Sequence, residues 1–126
     1  MLIIENDVIN ITKGDDGAVN VNVSVGGEAY EMAANDILTL TVREKPEEAS
    51  PALITIHSLP GRSRIVIDSG ATANLEPGKY SADIQLTTED GRIHTVWPEL
   101  EGSARYRVKN WGNFIIMPEV TTAWQS

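Results

Sequence analysis

Leu75-Glu76-Pro77-Gly78-Lys79-Tyr80-Ser81-Ala82-Asp83-Ile84 is the stretch that decides the fold. A leucine leads into a Pro-Gly turn, and the turn opens a strand whose first large residue is Tyr80. This is the pattern of a tyrosine corner, where a β-sandwich passes its chain from one sheet to the other. The ring packs inward and the hydroxyl bonds backbone a few residues upstream. Beyond the corner, Tyr80, Ala82, Ile84 and Leu86 share one face of a strand, with Lys79, Ser81, Asp83 and Gln85 on the other.

The same period of two runs through most of the chain. Val19, Val21, Val23 and Val25 alternate with Asn20, Asn22 and Ser24. Gly26-Gly27 then supplies a turn that tolerates positive φ, and Glu28-Ala29-Tyr30 begins the return of a hairpin. Over residues 37–43, Leu38, Leu40 and Val42 face one way and Thr39 and Thr41 the other. A polar, proline-bounded loop covers residues 45–51, after which Ile54 and Ile56 alternate with Thr55 and His57. Leu59-Pro60-Gly61 turns the chain before Arg64-Ile65-Val66-Ile67-Asp68. Glu89-Asp90-Gly91 contains an Asp-Gly turn pair and leads into a strand over residues 92–97. Ala104, Tyr106 and Val108 alternate with Arg105, Arg107 and Lys109 in a last strand. Only Ala33-Ala34-Asn35-Asp36 suits a short helical turn.

Strands spaced by roughly 8–15 residues with turn signals between them specify an antiparallel sandwich or barrel. The expected core comprises Val19, Val21, Val23, Leu38, Leu40, Val42, Ile54, Ile56, Ile65, Ile67, Leu75, Tyr80, Ile84, Leu86, Tyr106 and Val108.

Composition narrows the function classes. At 126 residues the chain is one domain, large enough to bury a core without staples. It has no cysteine, which excludes disulfides and thiolate metal sites. A net charge of −8 argues against nucleic acid and against an anionic membrane surface as partners. The opening Met1-Leu2-Ile3-Ile4-Glu5-Asn6-Asp7 has no basic region and no long apolar run, unlike a signal peptide.

Chemistry-bearing motifs are sparse. His57 and His94 sit on predicted strands, and no Gly-x-Ser-x-Gly elbow presents a serine nucleophile. Both read as ordinary strand residues rather than members of a triad. Asp15-Asp16 beside Gly14 and Gly17, and Glu89-Asp90, offer loop carboxylates of the kind that hold Ca²⁺. Neither has the alternating acidic pattern of a calcium loop, so both read as turns. Gly26-Gly27 is too short to cradle phosphate. Arg105, Arg107 and Lys109 form a basic stripe, either a solvated face or a contact for an acidic partner. Trp97, Trp111 and Trp124 suit packing, a protein contact or a sugar platform.

Ile11-Thr12-Lys13-Gly14-Asp15, Gly27-Glu28-Ala29-Tyr30-Glu31-Met32, residues 75–86 and Asp90-Gly91-Arg92-Ile93-His94-Thr95 occur in that order. The set resembles the N-terminal domain of siphophage baseplate upper proteins and related small structural proteins of phages and prophages, over about residues 8–109. The resemblance implies an immunoglobulin-like β-sandwich that anchors fibre or receptor-binding parts to the virion without catalysis. This chain departs from the family in ending soon after the sandwich, on an aromatic segment, with no stalk or receptor-binding head.

The sequence reading is therefore an all-β, immunoglobulin-like antiparallel sandwich over residues 1–109. An aromatic extension over residues 110–126 packs on the domain or docks a partner. The expected role is a virion structural protein, a baseplate or tail assembly module made in the bacterial host cytoplasm. Its partners are other virion subunits or a second copy. Trp111, Phe114, Ile115, Met117, Trp124, Arg105 and Arg107 are the expected interaction residues. No catalytic, metal or cofactor residue is expected. A small carbohydrate-binding or adhesin-type module is the alternative.

Overall fold

The computed structural model describes residues 2–5, 8–45, 50–97 and 113–118. Their regular structure is nearly all strand: β1 (Leu2–Glu5), β2 (Val8–Thr12), β3 (Gly17–Asn20), β4 (Ser24–Val25), β5 (Glu28–Ala29), β6 (Ile37–Arg43), β7 (Ala52–His57), β8 (Arg64–Ile67), β9 (Gly78–Thr87), β10 (Ile93–Trp97) and β11 (Phe114–Met117). A single helical turn, α1 (Ser69–Thr72), lies between β8 and β9. The turn expected at residues 33–36 is instead non-helical, closed by the Asp36 N–H donating to the Ala33 carbonyl at 3.1 Å.

Among the described residues the main sheet has seven strands, in the order β1-β2-β11-β9-β6-β7 with β10 also on β9. All its pairings are antiparallel except β2 with β11, which run parallel. The expectation of a purely antiparallel sheet is corrected at that pair. The β3–β8 ladder lies against β6 and β7, and β4–β5 forms the Gly26-Gly27 hairpin. The run expected as one strand over 19–25 divides here. Its first part pairs with β8, its end pairs with β5, and Val21 bridges by donating its N–H to the Ser63 carbonyl at 2.8 Å.

Period-two patterning does the sorting. In β6 Leu38, Leu40 and Val42 are buried and the alternate residues only partly so, and in β8 Ile65 and Ile67 are buried while Arg64 and Val66 are exposed. Leu38, Leu40, Val42, Ile65, Ile67, Ile84 and Leu86 meet in one core, joined by Ile9 and Ile11 of β2 and Phe114 and Ile116 of β11. Val21, Ile56, Leu75 and Tyr80 pack at its margin, partly buried. Tyr106 and Val108, and the strand expected over 104–109, lie outside the described residues.

The boundary expected after residue 109 does not match the sheet. Phe114–Met117 is an internal strand between β2 and β9, not an extension laid on a finished domain. The physical reason is burial on the core face: Phe114 and Ile116 are closed to solvent.

Candidate functional site

Two built clusters and one apolar face stand out. The first cluster is the approach to β9. Leu75 donates its N–H to the Thr72 carbonyl at 3.0 Å, ending α1, and the Pro77-Gly78 turn follows. The Tyr80 hydroxyl then reaches back four residues and donates to the Glu76 carbonyl at 2.5 Å. Partial burial, then the nearby carboxylates of Glu76 and Glu44, push the Tyr80 hydroxyl above the ordinary tyrosine range. It therefore remains a donor throughout the neutral range.

The second cluster centres on Asp36, whose side chain is closed to solvent. Its Oδ2 accepts from the Tyr30 hydroxyl at 2.5 Å and from the Ala33 N–H at 2.9 Å. Its Oδ1 accepts from the Glu89 N–H at 2.9 Å. The Asp36 backbone carbonyl accepts from Gly61 N–H at 2.8 Å. One residue thus ties together the segment before β6, the turn after β7 and the turn between β9 and β10. The Tyr30 hydrogen bond, then the backbone bonds, hold the Asp36 carboxyl below the usual carboxylate range. The same bond, with burial and the Asp36 charge, raises Tyr30. With three donors already on it, this carboxylate is a tie between loops rather than a ligand. Asp36 had appeared in the sequence only as part of a helical turn; a buried role for it carries no local motif.

The turn carboxylates have protein partners. Asp16 Oδ1 accepts from the Ser69 N–H at 2.7 Å, and Glu89 Oε2 from the Asn35 N–H at 3.0 Å. Asp90 accepts from the Thr88 hydroxyl and pairs with Arg92 at 3.2 Å. Among the described residues no three His, Asp or Glu side chains converge as a metal site.

The two histidines are not brought together. His57 pairs in register with Thr39 and shares a 2.9 Å hydrogen bond with its hydroxyl on the exposed face. His94 stands opposite the buried Leu86, on the other face of the sheet. Trp97 is partly buried and packs against the core.

The expected interaction residues divide. Phe114 is fully buried, so its side chain is core and not a docking group. Ile115 and Met117 point to the opposite face and are half-buried. Register places Ile3 and Ile115 on either side of Asn10 on that face, with Met117 beside Thr12. Ile3 is 40% exposed. Arg105, Arg107, Trp111 and Trp124 lie outside the described residues.

A shallow open groove of about 620 Å³ runs beside the β4–β5 hairpin, bordered by Val21, Val23, Tyr30 and Met32. Neither a scan of protein-family models nor a search of curated proteins finds a match for this chain.

Proposed function

We propose that the chain is an immunoglobulin-like sandwich with Tyr80 as its tyrosine corner, serving as a phage or prophage virion structural protein. In such sandwiches the second and fifth strands pair in one sheet, and the third, sixth and seventh in the other. The β3–β8 pair and the β6–β9–β10 set fit those two groups. The observation that carries the fold half is the Tyr80–Glu76 bond at the start of β9, where the corner belongs. The order of motifs, which resembles that of baseplate upper proteins, supports the functional half.

On this reading the protein works by association, with itself or with other tail or baseplate subunits. The face bearing Ile3, Ile115 and Met117 is the described surface that suits it. Apolar side chains grouped on one sheet face, with Ile3 exposed and Ile115 and Met117 partly so, are what a protein contact needs. Epitope-tagged chain should appear in purified particles by immunogold electron microscopy. Particles that carry none of it would overturn the virion role, and would leave the sandwich assignment standing.

A further inference from the structure

We infer that β10 and β11 are two halves of one strand, interrupted by a chain insertion between Trp97 and Asn113. The argument starts from hydrogen-bond parity. The Thr88 N–H donates to the Arg92 carbonyl at 2.9 Å, so Thr88 turns its backbone groups toward β10. Alternation then sends those of Leu86, Ile84, Ala82 and Tyr80 to the same edge. β6 occupies the other edge, in register from Ser81 to Thr87. β10 holds the first edge at residues 84–87, and β11 continues it from Tyr80 to Gly78.

Between these registers lies a gap. Trp97 stands opposite Ile84, and Phe114 opposite Tyr80. Sixteen residues, 98–113, join them where three would complete the ladder. Within the gap Ala82 would be left with an unpaired N–H and carbonyl. Asn113 supplies both partners: its Oδ1 accepts from Ala82 N–H at 2.7 Å, and its Nδ2 donates to the Ala82 carbonyl at 2.8 Å. A side-chain amide here stands in for the peptide group of a missing strand residue. Asn113 is itself 5% exposed, and its backbone carbonyl accepts from Ile9 N–H at 2.8 Å. The re-entry point of the chain is thus fixed from both sides, whatever length of chain precedes it. The cost of closing a loop rises only slowly with its length, so such a break tolerates insertion.

The test compares thermal unfolding of three backgrounds: the full chain, a chain with 98–112 replaced by a Thr-Ser link, and a chain lengthened by a Gly/Ser segment between Glu101 and Gly102. The shortened chain should unfold cooperatively. In the full chain, Asn113→Ala should lower the midpoint by about 5 °C or more, because two buried backbone groups lose their partners. In the shortened chain the link's own backbone meets Ala82, and Asn113→Ala should cost less than about 2 °C. An equal loss in both backgrounds would overturn the inference. If the shortened chain does not fold, the lengthened one decides. A midpoint within about 2 °C of the full chain sustains the insertion, and a loss above about 8 °C overturns it.

Discussion

Single residues make the sharpest claims. The backbone bond of the Tyr80 hydroxyl was legible because it is local: a Pro-Gly turn, a tyrosine two residues on, and an acceptor four residues upstream. Removing only the hydroxyl, Tyr80→Phe, should cost about 1 kcal/mol and lower the midpoint by about 3–5 °C, measured by calorimetry. Asp36 was not legible, because its three donors come from Tyr30, Ala33 and Glu89, the last far away in sequence. Its carboxyl is held below the ordinary value, so its contribution is present above the unfolded aspartate pKa and is lost as pH falls through the folded one. Asp90, bonded by Thr88, acts in the same direction, while burial of Asp83 acts against both. Asp36→Asn should therefore be less stable than the natural chain at neutral pH. That difference should narrow as pH falls below about 4, followed by urea unfolding across the acid range. A constant difference would mean that the loss is one of shape and not of charge.

At the scale of elements, the alternating strands β6 and β9 were readable because most of their apolar side chains share one face and most of their polar ones the other. β11 was not, because Phe114-Ile115-Ile116-Met117 is apolar on both faces and carries no period-two signal. Such a run reads as a sticky tail until its neighbours are known. Its place between β2 and β9 predicts the behaviour of core: Phe114→Ala should cost about 3–5 kcal/mol by chemical denaturation. A chain ending at residue 109 should lose cooperative unfolding altogether. β1 depends on a different detail. A Cβ at Gly17 would sit 2.6 Å from Leu2 Cδ1 and 2.8 Å from Leu2 Cβ, too close for the side-chain tip alone to yield. Gly17→Ala should push β1 off the sheet and expose the β2 amides that face it, those of Val8 and Asn10, to hydrogen exchange, while Ile9 N–H, bonded to Asn113, stays protected. Leu2→Gly in the same chain, which removes that Cβ as well as the side-chain tip, should restore part of that protection, so the two changes will be far from additive.

Across the whole molecule, charge and the apolar face pull in opposite directions. The chain carries −8, so two copies repel at long range, while Ile3, Ile115 and Met117 favour contact at short range. Salt separates the two kinds of partner that the proposed role allows. Screening weakens repulsion between like-charged copies, so self-association should strengthen between about 50 and 500 mM NaCl. Attraction to a basic subunit would weaken over the same range. Light scattering after size exclusion reads the first, and titration against candidate tail subunits reads the second. Ile115→Glu places a charge on the apolar face without entering the core, since Ile115 lies on the side opposite Phe114 and Ile116. It should abolish whichever association is found and leave the unfolding midpoint within a few degrees. If association survives Ile115→Glu in a chain that remains folded, the contact lies elsewhere. The groove beside the β4–β5 hairpin would then be the next surface to alter, beginning with Met32.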